Sequence, residues 1–152
     1  VPALRISVPS DHTEYAPMKT NFSFSAPADV ETDCLVVIAL DRSQKDKPEV
    51  ALETLDPAVR SAAADVIASG ETTGKNFETT LLHRPAGLKA KRLLLLGGGK
   101  AQTFSAFELR RLAGCAVRYL KSRGVRSFAF VAPQNGELIA VSHRIHAHPA
   151  GA

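Results

Sequence analysis

Tryptophan is absent, methionine occurs once and tyrosine twice, so the core of this 152-residue chain has to be built from aliphatic side chains and seven phenylalanines. Cysteine is limited to Cys34 and Cys115, one in a predicted strand and one in a predicted helix. Two thiols without paired spacing make neither a disulfide framework nor a zinc-ribbon pattern, and both read as free packed thiols. Long apolar runs are missing as well. The longest, residues 34–40, falls far short of the ~20 residues that a membrane helix requires. The opening Val1-Pro-Ala-Leu-Arg-Ile-Ser lacks a signal-type apolar segment. A cytoplasmic address with no membrane partner is the expectation. No internal repeat is visible.

What remains is the composition of a globular domain, with 45% hydrophobic and 22% charged residues. One domain suits the length. The net charge of +4 raises nucleic acid as a partner class. The cations are scattered, however, and the cluster Arg118, Lys121, Arg123 and Arg126 lies where a helix C-terminus itself favours positive charge.

The most informative stretch is Lys91-Arg-Leu-Leu-Leu-Leu-Gly-Gly-Gly-Lys100. Leu93 to Leu96 show no polar alternation, which predicts a strand covered on both faces. The glycines are expected to turn the chain out of the sheet and into a helix over about 104–123, capped by Thr103. Leu109, Leu112, Ala113, Ala116, Val117 and Leu120 form its inner stripe, and Gly124 ends it. Other strands are expected over 21–25, where Phe22 and Phe24 alternate with polar residues, and over 34–40, 77–83 and 125–132. The segment 49–55 is ambiguous, a short strand at most. Asp56-Pro57 starts a second helix, with Val59, Ala62, Ala63, Val66 and Ile67 inward and Gly70 as its stop. Arg84-Pro-Ala-Gly87 joins an antiparallel pair.

The fold class is therefore α/β: a three-layer α/β/α arrangement with a mixed sheet and a right-handed crossover between parallel strands. Residues 1–17 read as a flexible extension ahead of Met18, residues 18–133 as the domain, and residues 134–152 as a weakly structured tail.

Candidate chemistry is sparse. Gly97, Gly98, Gly99 and Lys100 stand where backbone N–H groups often cradle phosphate, and they are the anion-site candidate. They satisfy neither G-x-x-x-x-G-K-[ST] nor G-x-G-x-x-G. His143, His146 and His148 have spacing that suits no helix face for a metal, and Asp29, Glu31 and Asp33 read as a solvated loop. No catalytic, cofactor-binding or metal-ligating residue is assigned.

Asp33-Cys-Leu-Val-Val-Ile, the stretch Gly87-Leu-Lys-Ala-Lys-Arg-Leu-Leu-Leu-Leu-Gly-Gly-Gly-Lys100 and Leu109-Arg-Arg-Leu-Ala-Gly-Cys-Ala116 follow one another in an order and spacing that resemble the N-terminal domain of leucyl (cytosol) aminopeptidases. The resemblance covers roughly residues 21–133. It implies a macrodomain-like fold and a non-catalytic domain with an assembly or regulatory role. It also implies a partner, in the form of further copies or a peptidase domain. The two divalent ions (Zn or Mn) and the catalytic residues of such enzymes belong to that second domain, so no cofactor is expected in this chain, and it is expected to be inactive alone. From Glu137 onward the sequence departs from the expected continuation, as a frameshifted or truncated gene would. Two alternatives accompany this reading: a free-standing module binding a nucleotide or ADP-ribose, and a DNA-binding domain.

Overall fold

The computed structural model describes residues 3–7 and 19–131. Seven strands among them form one mixed sheet: β1 (Ala3–Ser7), β2 (Lys19–Ser23), β3 (Cys34–Asp41), β4 (Val50–Leu52), β5 (Thr79–His83), β6 (Arg92–Lys100) and β7 (Ser127–Val131). They are ordered β2-β1-β7-β3-β6-β5. The centre is parallel, with Leu35 opposite Leu93 and Val36 opposite Phe130. The flanks are antiparallel. β7 pairs with Cys34–Val36 in register and β4 pairs with Ala39 to Asp41, so the two share one edge of β3.

Side-chain alternation distributes the core to both faces. Cys34, Val36, Ile38, Leu94, Leu96, Phe128 and Phe130 pack with helix α2 (Ala106–Ser122). Leu35, Val37, Leu93, Leu95, Ala129 and Val131 pack with helix α1 (Pro57–Ala68). This is the expected three-layer, mixed-sheet α/β arrangement. The absence of polar alternation in β3 and β6 has a simple cause: a strand with a helix on each side has no solvent face.

Both helices obey the stripe read from the sequence. Leu109, Leu112, Ala116 and Leu120 of α2 are buried, as are Val59 and Ala63 of α1. Asp56 caps α1 as expected, its Oδ1 accepting from Ala58 N–H at 2.9 Å and Val59 N–H at 3.4 Å. Its Oδ2 accepts from Ala28 N–H at 3.1 Å, so the same carboxylate ties the helix to the loop before β3. Gly124 has φ +71° and Val125 N–H donates to Leu120 O at 3.1 Å, which closes the end of α2. The β5–β6 pair is antiparallel, with His83 opposite Arg92.

Four expectations need correction. Residues 1–17 are not wholly an extension: Ala3–Ser7 pairs with β2 on one edge and β7 on the other, and Ala3 is fully buried. Five residues are too few for a period to show against three nearby prolines. Phe24 lies beyond the end of β2 and is 85% exposed. Ser105, not Thr103, holds the N-cap position of α2, because the 3-10 turn Ala101–Thr103 intervenes; the Thr103 hydroxyl donates instead to Lys100 O. Lastly, β6 does not leave the sheet at the glycines but continues to Lys100. The tail over 134–152, with His143, His146 and His148, lies outside the described residues.

Asp56→Ala removes a cap and a loop tether together. Urea denaturation should show a loss of about 2 kcal/mol, at the upper end for N-cap substitutions, and Asp56→Asn should recover most of it.

Candidate functional site

The glycine candidate is built where β3 and β6 reach their C-terminal ends, a common ligand position in α/β sheets. Between the pairs Ala39–Gly97 and Asp41–Lys100, β3 advances by two residues and β6 by three. The extra residue is a bulge, and Gly99 takes it up at φ +83°. The segment Thr72 to Glu78 folds over this point. Phe77 N–H donates to Gly97 O at 2.9 Å, Gly97 N–H to Glu78 O at 2.7 Å, and Gly99 N–H to Gly74 O at 2.8 Å. The Glu78 carboxylate holds the segment's turn, accepting from Thr73 N–H and the Thr73 hydroxyl at 2.7 Å each and from Gly74 N–H at 3.2 Å.

A Cβ at Gly97 would overlap the Lys75 carbonyl oxygen, and one at Gly98 would lie 2.7 Å from Leu40 Cδ2 and 3.0 Å from Phe104 Cε2. Close approach of the 72–78 segment and the α2-side core therefore accounts for Gly97 and Gly98, and the left-handed backbone of the bulge for Gly99. The N–H groups of Gly97 and Gly99 are committed to carbonyl oxygens, which leaves an anion fewer donors than a phosphate cradle supplies. Lys75 and Lys100 are exposed beside Asp41. Hydrogen bonding by Ser43 holds the Asp41 carboxyl below its usual range, with Lys100 and Lys75 adding to the effect. The structure thus brings Gly97, Gly98, Gly99 and Lys100 together at one sheet end, as part of a packed junction.

Two features escaped the sequence reading. Phe77 has φ +64°, and the Arg111 guanidinium lies 4.8 Å from its ring and 5.8 Å from that of Phe107. Arg84 has φ +49° at the start of the β5–β6 connection. A bulky side chain in left-handed backbone leaves no mark on composition or period.

Among the described residues no three His, Cys, Asp or Glu side chains stand together as metal ligands, and no helix is long and apolar enough to cross a membrane. The described residues do not fit a divalent-metal pair, and no step through one is derived. Cys34 is fully buried, and burial pushes its thiol up to about 12. Such a group is no nucleophile. Cys115 is half-buried on α2, and both cysteines are free, as expected.

Fold and junction together define a mixed-sheet α/β domain with a tightly packed glycine junction at one end of the sheet. Comparison with known proteins places it further. Residues 36–148 match the description "Cytosol aminopeptidase family, N-terminal domain", and the chain belongs to that family. It is 50% identical over 118 residues to a probable cytosol aminopeptidase of Koribacter versatilis, covering 78% of this chain and 23% of that protein. A probable cytosol aminopeptidase of Acidobacterium capsulatum is 36% identical over 126 residues, covering 78% of this chain and 25% of the relative. A third, from Solibacter usitatus, is 50% identical over 72 residues, covering 47% of this chain and 15% of that protein. The chain spans about a quarter of the length of the first two curated relatives it matches. The match extends to residue 148, so the departure expected from Glu137 onward is overturned: most of that tail follows the family's pattern.

Two outcomes test this account. Gly97→Ala should cost about 3 kcal/mol or more in urea denaturation, as overpacking against backbone does. Gly70→Ala, at φ +82° with nothing within 4 Å of the new Cβ, should cost only about 1 kcal/mol. For Cys34, the raised folded-state value means that its contribution to stability is complete below the unfolded thiol's 9.0 and is lost as pH rises toward 12. The stability difference between the protein and Cys34→Ala should therefore narrow above pH 9 in urea titrations.

Proposed function

We propose that this chain is the non-catalytic N-terminal portion of an aminopeptidase and works in the cytoplasm as a scaffold. On this reading the domain docks against the peptidase portion or against further copies of itself and supports their assembly. In the complete protein, the peptidase portion would hydrolyse N-terminal amino acids from peptides with a pair of divalent ions, which lower the pKa of an attacking water. The observation that carries the proposal is the match itself, which is to an N-terminal-domain description and to about a quarter of the length of the Koribacter and Acidobacterium relatives.

A nucleotide or ADP-ribose module is the weaker reading, since the commitment of the Gly97 and Gly99 N–H groups works against it. The purified chain, incubated with leucine p-nitroanilide and Mn²⁺ or Zn²⁺, should release no nitroaniline above the metal-only background. Turnover that scales with protein concentration and survives repurification would overturn the proposal.

A further inference from the structure

The connection between β5 and β6 forms a shallow groove of about 510 Å³ at the opposite end of the sheet from the glycine junction. This lies within the range of about 300–1,000 Å³ common for ligand sites. Pro85 and Leu88 give it an apolar floor, and His83, Arg84, Lys91 and Arg92 line it with positive or protonatable groups. Lys91 Nζ lies 3.5 Å from Asp33 Oδ1. Among the described residues neither Arg84 nor Arg92 is paired with a carboxylate. The topology brings more cations to the same end: α2 runs back from the end of β6 to the start of β7, so Lys121, Arg123 and Arg126 gather there too.

Two observations say what kind of occupant suits the groove. First, the fold already seats an acidic segment of its own beside it, running from the 3-10 turn Pro27–Asp29 to Asp33. Lys89 N–H donates to Ala28 O at 3.0 Å and Lys91 N–H to Thr32 O at 3.1 Å, alongside the ion pair to Asp33. Asp29 and Glu31 lie in that same segment. Second, Arg84 at the rim has φ +49°, where glycine would be relaxed, a backbone outlier that motivates a functional reading of this connection. Its backbone N–H is used, donating to Lys91 O at 2.8 Å, but any residue other than proline supplies that bond.

We infer that this groove binds an extended acidic segment of a partner protein, with Glu or Asp side chains on Arg84 and Arg92 and intervening apolar side chains on Pro85 and Leu88. The mode is strand-like docking beside the hairpin, in which main chain and alternate side chains share recognition. A protein carboxylate is favoured over nucleic acid as the occupant, because the fold itself already seats one, Asp33, against Lys91.

The test is fluorescence anisotropy on the whole chain at physiological salt, with a labelled peptide of alternating Glu and Leu. The comparators are its Gln-for-Glu counterpart and a single-stranded oligonucleotide of matched charge. The glutamate peptide should bind at least about tenfold more tightly than either comparator, and Arg84→Gly should weaken it at least about fivefold. Arg84→Gly should also melt no lower than the parent, since it relieves strain. Arg92→Gln should weaken binding similarly, whereas Arg110→Gln, an equal change of charge on exposed α2, should not. Absence of binding, equal losses in Arg84→Gly and Arg110→Gln, or oligonucleotide affinity matching the peptide's would each overturn the inference.

Discussion

The pairing of β3 with β6 governs this molecule. Every residue from Cys34 to Leu40 and from Leu93 to Gly98 is buried, so neither strand has a face that water can reach. A strand of that kind is stable only while both layers of helix are in place. The remaining elements answer to that demand. α1 and α2 supply the two covers, β7 and β4 divide the outer edge of β3, and β5 closes that of β6. The domain is correspondingly all or nothing, since removing either helix would expose a row of leucines and valines rather than a single side chain.

Legibility of the sequence followed from this. The runs in β3 and β6 were readable because double burial removes alternation altogether, and α2 because one stripe of Leu and Ala faces the sheet while Arg110, Arg111 and Arg118 do not. Asp56-Pro57 was readable because capping chemistry is local. What escaped was non-local. β1 is a strand inside the sheet only because β7, more than a hundred residues later, pairs with the edge that β2 leaves open, and nothing in Ala3 to Ser7 announces it. The glycine run was read as a turn because glycine signals conformational freedom. Its larger role here is to make room for a neighbouring carbonyl, a requirement set by residues some twenty positions earlier.

The same distinction applies to the sites. The junction of Gly97, Gly98, Gly99 and Lys100 was legible as a place and illegible as a purpose, because a phosphate cradle and a tight backbone contact demand the same residue. The basic groove was invisible as a site: Arg84, Lys91 and Arg92 flank one hairpin connection, but their relation to the acidic segment after Ala28 arises only on folding. The two ends of the sheet thus differ in character. At one, backbone groups satisfy one another. At the other, guanidinium groups remain without carboxylates among the described residues.

Ala3 stands opposite Val131, the first and last residues of the described sheet in direct register. During synthesis on a ribosome, the hairpin of β1 and β2 is made first and has no edge to dock on until almost the whole domain has emerged. The cost of closing so long a loop must be met before the pairing returns anything. The nascent chain therefore carries an undocked hairpin until β7, the strand that admits it, has left the tunnel.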